Sequence, residues 1–209
     1  AIKDLQLKGI CIETPIYELK ESDYDFNYQT MKPLDSPDLM PIYEVMSKYR
    51  LPIWIHPKGQ GGVPVYPGED RGIYTLFDAL GWPLESAMAV CRLVCSGILA
   101  KYPDLTFIIH HCGSGIIPVL AGRIDAEIGT FQALGMKWGR QEGEDPFDIK
   151  RPADYFKMFY ADTALNGDDL GLTCGYQFFG VEKILFGTDF PYDTDNGDKY
   201  IRQTIESVN

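Results

Sequence analysis

The 209-residue chain has no surplus of positive charge. Lys and Arg together number 19 against 30 Asp and Glu, a net charge of -11 and a pI near 4.7. A chain this acidic is repelled by phosphate backbones, and no basic cluster overrides that, so nucleic acid is excluded as a partner. Long hydrophobic runs are missing as well. The longest, such as 107–109 and 116–121, are far too short to cross a bilayer, so no membrane partner is expected. No stretch has the charged, apolar and small-residue order of a secretory signal. The five cysteines (Cys11, Cys91, Cys95, Cys112, Cys174) are odd in number and lack paired spacing, which points to free thiols in a reducing, cytoplasmic setting. Repeats, low-complexity tracts and linkers are also missing, so one domain over residues 1–209 is expected. Hydrophobic residues at 45% and charged residues at 23% are the balance of an ordinary globular protein and exclude disorder.

What is present is an alternation of short apolar strands and longer helical patterns. Strands are expected at 9–12, 52–56, 106–110, 158–161 and 183–186. Helices are expected from Ser36-Pro37 (N-cap and first helical position) through Tyr49, at 84–102 and 116–131, around Tyr155, at 168–179 and at 200–208. Polar loops fall at 17–28 and 58–74, and a polar insertion at 135–151. Short apolar strands each separated by a helix describe an α/β fold with a parallel sheet buried on both faces. Trp54, Trp82 and Trp138 read as packing residues, and Cys91 and Cys95, four apart on one helix face, as small apolar ones.

Histidine is scarce, with only three in the chain. All three stand at the C-terminal ends of expected strands: His56, and the adjacent His110 and His111. Asp189 ends another. In a parallel α/β protein those ends share one face, where binding sites are built. Each residue alone has an ordinary structural reading, as a buried imidazole or a capping carboxylate. Their shared position is what a site requires, and neutral imidazole with carboxylate suits zinc or a similar divalent ion, manganese included.

Three segments carry a resemblance: Leu51-Pro52-Ile53-Trp54-Ile55-His56-Pro57, Ile108-Ile109-His110-His111-Cys112-Gly113-Ser114-Gly115, and Leu185-Phe186-Gly187-Thr188-Asp189-Phe190-Pro191. With Gly9-Ile10 and Tyr160-Ala161-Asp162-Thr163, they resemble the amidohydrolase-related family over nearly the whole chain. In particular they resemble its branch containing aminocarboxymuconate-semialdehyde decarboxylase and gamma-resorcylate decarboxylase. The resemblance implies a (β/α)8 TIM barrel of which this chain supplies roughly the fourth to eighth βα units, incomplete at the N-terminus and at the C-terminus. It implies that His56 and Asp189 are metal ligands, with Asp189 also catalytic. His111, followed by Cys112-Gly113, matches the sixth-strand His that acts as acid or base beside the metal. Arg123 matches an Arg that holds a substrate carboxylate in the neighbouring subunit's site, which implies a homodimer or higher homo-oligomer. The His-x-His or Glu-x-His pair of the family's first strand is not among these 209 residues.

Three functions follow as expectations. The first is metal-dependent, non-oxidative decarboxylation of a small aromatic or unsaturated carboxylic acid, so the partner is a small-molecule carboxylate. The second is a hydrolase or hydratase using a metal-activated water. The third is a truncated, non-catalytic barrel serving binding or assembly.

Overall fold

The computed structural model describes residues 2–16, 31–58, 66, 68, 73–113, 115–135 and 152–209. Most of the loops expected at 17–28 and 58–74, the insertion with Trp138, and Ser114 lie outside the described residues. After a short helix α1 (Ile2–Leu5), five strands follow in order: β1 (Ile10–Thr14), β2 (Pro52–Pro57), β3 (Thr106–Ile109), β4 (Tyr160–Asp162) and β5 (Ile184–Leu185). All neighbours pair in parallel, and their spatial order is the order of the chain. A doubly wound sheet reverses its strand order part-way; this one never does, which is barrel topology. The intervening helices are α2 (Met40–Tyr49), α3 (Trp82–Cys95), α4 (Ile98–Lys101), α5 (Ile116–Ala133), α6 (Pro152–Phe156) and α7 (Asp169–Phe179), with α8 (Asp198–Val208) last. Among the described residues no helix is long and apolar enough to cross a membrane.

Period-two alternation sets the two faces of the sheet. Along β2, Ile53, Ile55 and Pro57 are buried under the helices, while Trp54 and His56 point the other way and are half-buried. Tyr43 of α2 packs edge-on against Phe107 of β3 at 5.7 Å, and Phe107 stacks on Phe159 at 5.7 Å. Burying each such side chain contributes roughly 1.5–3 kcal/mol. The Tyr43 hydroxyl donates to the Leu34 carbonyl at 2.5 Å, so its burial leaves no polar group unpaired. The opposite face carries Cys11 and Glu13, both exposed, beside Trp54 and His56. The expected burial of both faces holds at β3 and β4, where Ile108 and Asp162 on this second face are buried, and fails at β1.

Several boundaries differ from the sequence reading, each for a local reason. The first long helix does not begin at Pro37 with Ser36 as its cap. Pro41 has no N–H to return to the Pro37 carbonyl, so a 3-10 turn (Pro37–Leu39) precedes α2, and the Ser36 side chain makes no capping bond. The helix expected over 84–102 starts earlier, at Trp82 behind a π-helical turn (Phe77–Gly81), and breaks at Gly97, whose φ is 78°. The fourth strand begins at Tyr160 rather than Met158, because the Met158 and Phe159 N–H groups bond back to Tyr155 and Phe156. That shift puts Asp162 at the strand's end. Asp168 caps α7 by accepting the Gly171 N–H at 3.2 Å. Asp193 accepts three N–H groups, from Asp195, Gly197 and Tyr200, and so starts α8 at Asp198. All five cysteines are free; Cys91 and Cys95 are half-buried.

Candidate metal centre

β3 ends at Ile109, and the chain leaves it through an abrupt turn. His111 (φ 58°, ψ 46°), Cys112 (φ 52°, ψ 47°) and Gly113 (φ 65°) are consecutively left-handed. For His and Cys this conformation costs about 1–2 kcal/mol each, so surrounding structure must hold it. Asp162 does so from the neighbouring strand. Ile109 is in register with Ala161, which places Asp162 opposite His110. Its Oδ1 accepts the N–H of Cys112 at 3.2 Å and of Ala164 at 3.1 Å, and its Oδ2 lies 2.9 Å from His110 Nδ1. Phe179 closes the turn from the other side: a Cβ on Gly113 would meet its ring at 2.8 Å. Cys112 is fully buried, and burial, with Asp162 and Cys174 nearby, pushes its thiol up to about 12, which removes it as a nucleophile.

The turn aims His111 at two other residues. His56, His111 and Asp189 each offer a ligand atom, and these atoms lie within 4.8 Å of one another. The His56 ring stands 5.4 Å from that of His111 and 5.2 Å from that of His110. His111 Nδ1 is 3.0 Å from the Ala164 carbonyl, which only accepts, so Nδ1 carries the hydrogen and Nε2 is left as a lone pair. That Nε2 is buried and has no hydrogen-bond partner among the described residues. An unsatisfied buried acceptor costs about 1–3 kcal/mol, and a proton or a divalent cation there would satisfy it. The donor set fits a metal.

Electrostatics separates the three histidines. Burial, and then the neighbouring imidazoles His111 and His110, lower the pKa of His56, so its ring is neutral and competent as a ligand. Burial would lower His110 too, but the hydrogen bond and charge of Asp162, with Cys11 also in reach, raise it to about 9. Burial would raise Asp162; the bond from His110 and the charges of both adjacent imidazoles hold it below its usual range. Asp189 is raised by burial, against the pull of His111 and His56. His110 and Asp162 thus form an ion pair beside the centre.

A family model described as amidohydrolase matches residues 4–206. The chain belongs to the amidohydrolase family. It is 27% identical over 206 residues to a 2-amino-3-carboxymuconate-6-semialdehyde decarboxylase of Dictyostelium discoideum, covering 95% of this chain and 52% of that one. It is 27% identical over 168 residues to a gamma-resorcylate decarboxylase of Polaromonas, covering 76% and 46%. The solved structure of a dihydroxybenzoic acid decarboxylase from Polaromonas, with bound manganese and the inhibitor 2-nitroresorcinol, superposes with a TM-score of 0.62 at 22% identity, over 97% of this chain and 56% of that one. At that identity the likeness shows the fold, and the fold is the TIM barrel of the amidohydrolases. The chain spans about half the length of the curated relatives it matches.

Of the four residues singled out in this amidohydrolase chain, His56, His111 and Asp189 come together and Arg123 does not. Arg123 lies on α5 with its side chain 73% exposed, 3.4 Å from Glu127 one turn on. Trp82, expected as a packing residue, packs beside the site: its ring stands 6.0 Å edge-on to His56, with Phe77 6.4 Å beyond it. Asp162 was part of a resembling segment but had no role, although its place at a strand's C-terminal end was the same signal that marked Asp189. Glu13, in register with His56, forms an ion pair with Lys58 at the edge of this face.

Proposed function

We propose that the protein is a metal-dependent decarboxylase acting without oxidation on a small aromatic or unsaturated carboxylic acid. The observation that carries this reading is the buried His111 Nε2, without a partner among the described residues, on a ring that offers a ligand atom within 4.8 Å of ligand atoms on His56 and Asp189. The decarboxylase names of the relatives support it, and the manganese of the Polaromonas structure sets manganese beside zinc as the metal. In this reading His56 and Asp189 hold the ion. When bound, it supplies a Lewis acid for the substrate's oxygens. His111 Nε2, unpartnered among the described residues, takes up a proton from solvent and delivers it to the carbon from which the carboxyl group leaves as carbon dioxide. Trp82 and Phe77 give the substrate ring an aromatic wall beside His56. Arg123, exposed on α5, reaches outward to the substrate carboxylate of a neighbouring copy, with the planar fork that suits bidentate binding, and so calls for a homo-oligomer. Five free thiols fit a cytoplasmic setting.

The test is carbon dioxide release from a panel of hydroxybenzoates, with and without chelator. Release that stops on chelation and returns with manganese or zinc is the expected result. Incorporation of water into product without loss of carbon dioxide would instead make the protein a hydrolase or hydratase. Neither activity, together with no bound metal, would sink the enzyme reading.

A further inference from the structure

The segment Asp162-Thr163-Ala164 touches both histidines of the adjacent turn by different routes. Asp162 Oδ2 takes His110 directly, at 2.9 Å. Asp162 Oδ1 takes the N–H of Cys112 across the strand boundary and the N–H of Ala164 in its own connection. One oxygen thereby fixes two peptide planes. The Thr163–Ala164 plane so fixed has its Thr163 carbonyl accepting the Leu165 N–H at 2.8 Å, and this holds the next plane, whose Ala164 carbonyl faces His111 Nδ1 at 3.0 Å. The Cys112 peptide so fixed is the one that follows His111 in its left-handed turn.

We infer that Asp162 is a positioning residue for the metal centre: through Ala164 it sets which His111 nitrogen carries the hydrogen, and through Cys112 it sets where the imidazole stands. The inference rests on the metal-centre reading above for its purpose, but not for its geometry. A carbonyl accepts and never donates, so the orientation of the Ala164 peptide decides that Nε2 faces inward as a lone pair. Asp162 is nine-tenths buried, and both oxygens of its carboxylate are engaged. This role needs an oxygen that accepts two N–H groups. It does not need the negative charge, which distinguishes positioning from an electrostatic effect on the ion.

Asp162→Asn and Asp162→Ala separate these cases. The amide keeps Oδ1 on Cys112 and Ala164; alanine removes it. Heteronuclear NMR of the imidazole nitrogens in metal-free protein reads the His111 tautomer, and calorimetry with manganese or zinc alone reads affinity. The wild type should show hydrogen on Nδ1. Asp162→Asn should keep that signature and bind metal within about threefold of wild type, while Asp162→Ala should show mixed tautomers and bind about tenfold more weakly or worse. Unchanged tautomer and affinity in a folded Asp162→Ala would overturn the inference. So would a tenfold loss in Asp162→Asn with Nδ1–H intact, because charge would then be the active element. Should Asp162→Ala not fold, the two readouts of Asp162→Asn still decide. A wild type that binds no metal defeats the metal-centre reading, whereas the tautomer in metal-free protein still tests the positioning.

Discussion

Of the connections of this sheet that visit the left-handed backbone, one leads into β2 and another leads out of β3, and the two are held in different ways. Arg50 (φ 51°, ψ 44°) ends α2 with its side chain 77% exposed, and its N–H returns to the carbonyls of Met46 and Ser47 in the helix it closes. His111 and Cys112 have nearly the same dihedrals, but the Cys112 N–H goes to Asp162, fifty residues further along the chain. The first is a helix stop whose hydrogen bonds are local. The second is held by distant groups, and its product is an imidazole aimed at His56 and Asp189. Identical backbone geometry thus serves turning at one end of the strands and aiming at the other, and only the second needs tertiary support.

The largest effect is expected where the comparison is broken at the aimed side chain. His111→Ala should reduce metal-dependent carbon dioxide release by about 10²–10⁴ while the chain stays folded, since the hydrogen bond lost to the Ala164 carbonyl costs only about 0.5–1.5 kcal/mol. Arg50→Ala should leave release unchanged. Turnover in His111→Ala within about tenfold of wild type would show that the turn aims nothing of consequence.

A smaller effect is expected from the turn's support. Gly113→Ala places a Cβ 2.8 Å from the Phe179 ring in a left-handed residue. Overpacking costs about 1–3 kcal/mol and the dihedral about 1–2 more, so chemical denaturation should show roughly 2–5 kcal/mol of lost stability. A loss under about 1 kcal/mol would mean that Phe179 moves aside and does not brace the turn.

The same contrast explains what was legible in the sequence. Strand order and the grouping of His56, His111 and Asp189 follow from one rule, that parallel strands present their C-terminal ends on one face, and short apolar runs announce those ends. Asp162 follows directly on the strand end expected at Ala161 and still drew no role, because nothing in its local sequence shows that its carboxylate turns to the connection after the neighbouring strand. The left-handed turn was hidden for a different reason. Neither His nor Cys favours that conformation locally, and the groups that impose it, Asp162 and Phe179, lie far along the chain. The Gly97 break was legible in principle, since glycine interrupts an otherwise helical pattern. That Trp82 packs was legible, but periodicity says nothing of which imidazole a ring will face.

The smallest effect tests the helix stop itself. Glycine at position 50 would adopt φ 51° without the Cβ penalty, relieving about 1 kcal/mol. The substitution also removes the ion pair from Arg50 to Asp104 at 3.3 Å, but both partners are more than half exposed, and such pairs contribute about 0.2–1 kcal/mol. Glycine further enlarges the unfolded ensemble, which takes back part of the gain. The net expectation for Arg50→Gly is stabilisation of about 0.5 kcal/mol, with Asp104→Ala measured alongside to isolate the ion pair. Because the Arg50 N–H bonds are retained by glycine, relief of the dihedral is the only favourable change available. Destabilisation of Arg50→Gly beyond that of Asp104→Ala would mean that this connection, like the one after β3, depends on its side chain, and the contrast between the two ends of the sheet would fail.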